Sequence, residues 1–339
     1  MKISVVTPLY NSAPYIEELH RRTVAAIRAA GTDEHEIVFV NDGSPDDSLA
    51  VAMAIAAGDA GVVVIDLSRN FGQHRAIMTG LAHTTGDLVF VMDSDLEEEP
   101  EWITLFHQKM REAPCDVVYG VRTNMKGGRL YTLGRATFYR MLDILSGVHF
   151  PANIATARLM SRRYLDALLQ FKEREIYLGG LWHVTGFTQL PVPIIKEDRS
   201  PTSYTPARIL GLAVNAATGF STRPLVAISV LGLVVAAVGI GFLAWVLVKK
   251  LAWGVDIPGW ASVMAAVLLI GSLQLLVLGI IAIYIAKIFI EVKQRPLTIV
   301  REIHRNSGDA GMAARAPVPP TGVNVPAAGT VAKLAGAVE

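Results

Sequence analysis

Apolar and polar positions follow a regular rhythm from Met1 to about Leu145. Short β-branched runs, ISVVTP, EIVFVND, VVVIDLS, DLVFVMD and DVVYGV, alternate with longer helix-like segments such as Tyr15 to Ala30 and Asp47 to Ala57. That alternation predicts an α/β fold with a mostly parallel sheet flanked by helices. Each run ends in polar residues: Asn11, then Asn41-Asp42-Gly43-Ser44, then Ser68-Arg69-Asn70, then Asp93-Ser94-Asp95, then Arg122. In open α/β sheets ligands bind beyond the carboxyl ends of the strands, so these tips are expected to converge on one crevice.

The pattern changes after Ser146, where a mixed, Arg-rich zone runs to Arg223. Two uncharged apolar runs follow, residues 225–248 and 259–286, joined by a connection over 249–258. Each exceeds the ~20 residues needed to cross a hydrocarbon core of ~30 Å, which favours a transmembrane hairpin over a buried core hairpin. Arg208 and Arg223 precede the hairpin, and Lys287, Lys293, Arg295, Arg301 and Arg305 follow it, against Lys249 and Lys250 in the connection. The positive-inside rule then puts residues 1–205 and the C-terminus in the cytoplasm, in a multi-pass protein of the inner (cytoplasmic) membrane. Residues 206–224 read as an amphipathic juxtamembrane segment and 287–305 as a basic one, with Arg208, Lys293, Arg295 and Arg301 as anchors for lipid headgroups. Residues 306–339, dominated by Ala, Gly, Pro and Val, read as a disordered tail.

Composition agrees with a lipid-embedded part: of 339 residues 52% are apolar, and the mean hydropathy is +0.40, above the usual soluble range. A net charge of +1 offers no bulk attraction to nucleic acid. Cys115 is the only cysteine, which excludes an internal disulfide and a thiolate zinc site. MKISVVTPLYN is too brief for a signal-peptide core and reads as a first strand. Apolar surfaces near the spans suit a homo-oligomer.

The chemistry concentrates in VMDSDLEEEP. Asp93 and Asp95, two apart at a strand end, can reach one ion together. Oxygen-only donors suit Mg²⁺ or Mn²⁺, which would neutralise a diphosphate and the charge it gathers as a leaving group. Acids are also favoured at a helix start, and Glu98, Glu99 and Glu101 are assigned to a solvated start of that kind.

TPLYN (7–11), VNDGSPDDS (40–48), LSRNFGQHRAIMTG (67–80), MDSDLEEEPE (92–101) and VYGVR (118–122) resemble, in order, the motifs of family-2 glycosyltransferases of the GT-A fold. Within that family the chain is most similar to membrane-anchored polyprenyl-phosphate glycosyltransferases, such as dolichol-phosphate mannose synthase and the bacterial undecaprenyl-phosphate glucosyl and aminoarabinosyl transferases. FSTRPL (220–225) and EVKQRPL (291–297) fit the bacterial subgroup, and the resemblance spans about Lys2 to Glu302. It implies a Rossmann-like sheet followed by a two-helix transmembrane hairpin. The implied reaction is metal-dependent, inverting transfer of one sugar from a nucleotide-sugar donor, UDP favoured, to a polyprenyl phosphate.

Residue by residue, the resemblance puts Pro8, Tyr10, Asn11, Val40 and Asp42 around the nucleoside, Asp93, Ser94 and Asp95 at the metal and diphosphate, and Glu97 near the metal where the family usually has Gln. Asp95 and Arg122 become the catalytic candidates, with Arg122 pairing bidentately with phosphate or lying on the surface. Arg129, Arg135, Arg158 and Arg199, with Arg140, are candidates for the acceptor phosphate or ordinary surface arginines. His74 reads as a structural histidine or a donor contact, and Asn70, Gly72 and Gln73 are motif residues without a derivable role. Several positions depart from the family: Asn41 for Asp in DDGS, Thr156 for Asp in a GDFRL-like motif, and Ser203 for Lys in a GESKYS-like motif that keeps Tyr204. A processive polysaccharide synthase is the enzymatic alternative, opposed by the absence of QxxRW. A noncatalytic nucleotide-sugar-binding scaffold or flipping partner is the other, favoured by Thr156 and Ser203 and opposed by Asp93 and Asp95.

Overall fold

The computed structural model describes residues 1–123, 153–196, 221–253 and 259–306. Strands β1 (Ile3–Leu9), β2 (His35–Asn41), β3 (Val62–Leu67), β4 (Leu88–Val91) and β5 (Val117–Arg122) alternate with helices α1 (Ile16–Ala29), α2 (Ser48–Gly58), α3 (Gln73–Ala82) and α4 (Trp102–Glu112). These are the five strands the apolar runs predict. Then come β6 (Ile154–Ser161), α5 (Arg162–Leu168), α6 (Leu178–Val184), β7 (Gln189–Ile194), α7 (Arg223–Trp253), α8 (Trp260–Lys293) and β8 (Val300–Arg305).

All eight strands form one mixed sheet in the order β7-β5-β6-β4-β1-β2-β3-β8. Every residue of β1 and β3 is buried, as expected for central strands covered on both faces. One core packs α1, α2 and α4 on one face; the other packs α3, α5 and α6 on the opposite face.

Strand direction decides which residues meet. β4, β1, β2 and β3 are mutually parallel. β6 runs antiparallel to β4, and β5 antiparallel to β6, so β5 points the same way as β4. β7 is parallel to β5 and points that way too. The carboxyl ends of six strands therefore share one edge, joined there by the amino end of β6.

The sheet interior leaves no room at the α3 crossing. A Cβ on Gly80 would stand 2.5 Å from Val6 Cγ1 and 2.8 Å from Val40 Cγ2. Val40, expected beside the nucleoside, is instead wholly buried in this contact, so its side chain does not line the crevice. Ala for Gly inside a helix ordinarily stabilises by roughly 0.5–1 kcal/mol. Here overpacking, typically about 1–3 kcal/mol, outweighs that gain. Gly80→Ala is expected to lower the thermal unfolding temperature; an unchanged or raised value would show that β1 and β2 yield.

Helices α7 and α8 contain segments with mean hydropathy 2.6 and 2.5, long and apolar enough to cross a membrane. The runs predicted at 225–248 and 259–286 lie within them. Their described apolar side chains, such as Leu233, Leu251 and Leu275, are exposed. The end of α8 touches the sheet domain: Glu291 accepts from the Arg174 backbone N–H at 3.0 Å, and Lys287 pairs with Glu175. The chain then returns to the sheet, where β8 pairs antiparallel with β3. The basic segment expected to lie free beside the membrane is therefore partly a strand. Arg301, expected at lipid headgroups, donates to Asp66 Oδ2 at 2.9 Å and to the Ser68 carbonyl at 3.0 Å.

Candidate active site

The strand tips converge as the sequence predicts, held by short polar side chains. Asn11, in the left-handed region at φ 55°, donates its backbone N–H to Ser44 Oγ at 2.8 Å. The Ser12 and Ser94 hydroxyls share a 2.6 Å hydrogen bond that ties the tip of β1 to that of β4. Gly43, at φ +62°, lets the β2 loop approach so closely that a Cβ there would fall 2.5 Å from Asn70 N. Asp42 accepts from the backbone N–H groups of Phe71 and Gly72 at 2.7 and 2.9 Å, drawing the β3 loop across the crevice. Burial pushes the Asp42 carboxyl above its ordinary pKa, with those two amides acting the other way. Tyr10 is half exposed, a ring free to meet a planar ligand, and Pro8 is buried behind it.

Two departures from the family pattern acquire physical reasons. Asn41 donates from Nδ2 to Asp66 Oδ1 at 2.7 Å, and Asp66 in turn takes the Arg301 guanidinium. A carboxylate at position 41 would confront Asp66 at the same distance, so the amide fits this chain. Thr156, at the start of β6, brings its hydroxyl to 3.3 Å from Asp93 Oδ2. An acid there would add another charge to an already crowded cluster.

That cluster is the centre of the site. Asp93 accepts from Gln73 Nε2 at 2.6 Å through Oδ1, and from Thr156 and Lys196 through Oδ2. Gln73, without a role from sequence, thus holds Asp93. Burial raises the Asp93 pKa, opposed by Lys196 and reinforced by Asp95. Asp95 is half-buried, and its Oδ1 accepts the Glu97 backbone N–H at 3.0 Å. Glu97 lies 3.5 Å from the Lys196 ammonium.

Glu98 overturns its expected place on a solvated helix start. It is wholly buried and accepts the backbone N–H groups of Asp93 at 3.1 Å, Thr156 at 2.9 Å and Ala157 at 3.2 Å. Burial first, and the neighbouring Asp93 charge second, raise its pKa. Glu99 and Glu101 are exposed as expected, and Glu101 pairs with Arg22.

Lys196 is the site residue the sequence did not offer. It follows β7, a strand interrupted by Pro191 and Pro193, and its signal was only that β7 ends on the same edge as β4. Arg122 ends β5 at that edge, its backbone N–H on the Asn153 carbonyl at 3.0 Å. Arg158 does not join them. It is 1% exposed, donates weakly to the Thr156 and Ala155 carbonyls, and lies with its guanidinium carbon 3.0 Å from the Trp182 ring centroid. Burial lowers its pKa to about 9, so it stays cationic at neutral pH. Its place as an acceptor-phosphate ligand gives way to one inside the fold. His74 is tied to the Ile176 carbonyl and stacks edge-on with Tyr177, which supports its structural reading. Arg129, Arg135, Arg140, Arg199, Ser203, Tyr204 and Arg208 lie outside the described residues.

Among the described residues no three His, Cys, Asp or Glu side chains form a ready-made metal cage. The donor set nevertheless fits a hard cation: it is all oxygen, and it already surrounds the Lys196 ammonium, which stands in for one.

A nucleotide-sugar-type crevice at the carboxyl edge of an α/β sheet, centred on paired aspartates, is the architecture of a GT-A glycosyltransferase. The glycosyl transferase family 2 model matches residues 4–169. A Mycobacterium tuberculosis protein named among glycosyltransferases is 41% identical over 90% of this chain and 89% of its own length. The SfII prophage-derived bactoprenol glucosyl transferase of Shigella flexneri is 32% identical over 91% of this chain and 100% of its own. The chain therefore belongs to glycosyltransferase family 2 and is a glycosyltransferase. A Pyrobaculum calidifontis mannosyltransferase solved with GDP-Man and Mn²⁺ aligns at 18% identity and TM-score 0.45 over 85% of this chain and 84% of that one, too distant a likeness to bear on function.

Proposed function

We propose that this glycosyltransferase moves one sugar from a nucleotide-sugar donor, UDP favoured, to a polyprenyl phosphate at the cytoplasmic face of the inner membrane, with inversion at the anomeric carbon. The observation that carries the reading is the single edge on which the tips of β1, β2, β4 and β5 gather Tyr10, Asp42, Asp93, Asp95 and Arg122. The bactoprenol relative and the two apolar helices support the choice of acceptor and its location. Domain limits follow the same reading: residues 1–205 as the cytoplasmic domain, a hairpin spanning the bilayer, and a tail after Asn306.

In this reading Tyr10 and the loop drawn in by Asp42 receive the nucleoside, while Asp95 and Glu97, with Asp93, hold a divalent cation, Mg²⁺ or Mn²⁺. When bound, that ion neutralises the donor diphosphate and the charge gathering on it as it leaves. An acceptor phosphate oxygen attacks the anomeric carbon, the bond from that carbon to the diphosphate oxygen breaks, and the nucleoside diphosphate departs with the electron pair. A phosphate monoester already carries ~1.5 to 2 negative charges at neutral pH, so no general base is required. Arg122 orients phosphate by paired hydrogen bonds.

The reading is tested by incubating membranes holding the protein with polyprenyl phosphate and a panel of radiolabelled nucleotide sugars. A chloroform-soluble labelled product is expected. An insoluble polymer would favour a processive synthase, and no product with any donor would favour a scaffold. Thr156→Val keeps the backbone amide that binds Glu98 and loses only a long hydroxyl contact to Asp93, so turnover should fall less than about fivefold. Arg122→Ala should cost about 10- to 100-fold, the range for a lost hydrogen bond to a charged group. Equal severe losses in both would assign Thr156 a role in the chemistry.

A further inference from the structure

The acidic cluster already contains a cation supplied by the chain itself. The Lys196 ammonium lies 3.4 Å from Asp93 Oδ2, 3.5 Å from Glu97 Oε2 and 3.8 Å from Glu98 Oε1. Its side chain is 12% exposed, so these contacts are made largely out of water. It reaches them because β7 runs parallel to β5 and releases the chain at the edge where β4 ends. Glu97 stands where the family usually carries an amide, so the added carboxylate and the lysine that neutralises it occur together. A divalent ion bonds carboxylate oxygen at roughly 2.0–2.1 Å, close enough to Asp93 or Glu97 to confront an ammonium holding the same oxygens. Like charges at that separation disfavour each other, and little water is present to screen them.

We propose that Lys196 and a divalent cation compete for the carboxylates of Asp93, Glu97 and Glu98, so that the ammonium must withdraw before the ion can bind. Lys196 keeps the carboxylates together when no ion is present and sets how tightly the ion is held. A donor diphosphate brings negative charge on which the withdrawn ammonium can settle, so ion and donor bind more tightly together than either does alone. The inference rests on the metal reading of Asp93 and Asp95 given above.

The test titrates Mn²⁺ alone into the full chain in detergent, by calorimetry or by the electron paramagnetic resonance of free Mn²⁺. Lys196→Met should bind Mn²⁺ about tenfold or more tightly than the parent, the effect of removing one close like charge. Lys196→Arg, which keeps the charge, should bind no more tightly than the parent. Without metal, Lys196→Met should unfold at a lower temperature and recover when Mn²⁺ is added. On the unsubstituted chain, acylation of Lys196 by an amine-reactive reagent, read by peptide mass spectrometry, should rise when Mn²⁺ saturates the site; this arm decides alone if Lys196→Met fails to fold. Equal or weaker Mn²⁺ binding by Lys196→Met, or Lys196 labelling indifferent to Mn²⁺, overturns the proposal. If parent and variant bind equally, the metal reading survives and only the competition falls; if neither binds, both fall.

Discussion

Asp95→Asn is expected to slow sugar transfer about 10²- to 10³-fold while leaving the protein folded. The substitution keeps the side chain's size and an oxygen able to accept the Glu97 backbone N–H, the bond seen at 3.0 Å. It removes the charge that would face the cation and the departing diphosphate. Losing one preorganised charge-stabilising contact costs ~2.7 to 4 kcal/mol of transition-state stabilisation in comparable sites. Asp93 is the less informative target, because Gln73, Thr156 and Lys196 already engage both its oxygens. Rates should be measured against Mn²⁺ and Mg²⁺ concentration for the parent, Asp95→Asn and Glu99→Gln, with thermal unfolding as the control. Glu99 is exposed, and its variant should behave like the parent. A parent fully active in EDTA, or an Asp95→Asn variant with unchanged rate and metal dependence, would end the metal–diphosphate reading.

Glu98→Ala is expected to produce the largest loss of stability at the site. It would strand the backbone N–H groups of Asp93, Thr156 and Ala157 in a buried position and remove one partner of Lys196. Each buried unsatisfied amide costs about 1–3 kcal/mol, and breaking a buried pair costs about 3–5 kcal/mol. These effects overlap at one side chain, so a total of about 3–5 kcal/mol is expected. For a domain of this size that lowers the unfolding temperature by roughly 6–20 °C. Glu98→Gln should fall between Ala and the parent: it can keep the two bonds to β6 but presents an NH₂ to the Asp93 amide. Thermal unfolding in detergent checks both variants. A shift of less than about 2 °C for Glu98→Ala would mean that the amides find water instead.

The contrast between Glu98 and Glu99 shows where sequence reading stops. Strand runs such as VVVIDL are legible because burial on both faces demands continuous apolar residues, and their polar tips are legible because chain direction fixes which end faces the ligand. Whether a glutamate in EEEP points into the protein depends on what packs over it. For Glu98 that is β6, whose pairing with β4 is a contact across nearly sixty residues. β7 was obscured by its prolines, which suit an edge strand and break the apolar pattern. With β7 unseen, Lys196 had no strand to place it. The charged run VREIHR read as membrane-side basic residues because nothing local marks it as the partner of β3.

That last strand changes what a soluble fragment of this enzyme would be. A chain ending before the hairpin would carry nearly every described site residue, yet it would lose β8 and leave the hydrogen-bonding groups of β3 open along the sheet's border. It would also release Asp66 from Arg301 beneath Asn41. An open border of buried, β-branched sequence recruits other copies edge to edge. Removing the anchor would thus produce self-association rather than a well-behaved catalytic domain, and the more faithful reduction is to bridge the hairpin with a short linker and keep residues 295–306.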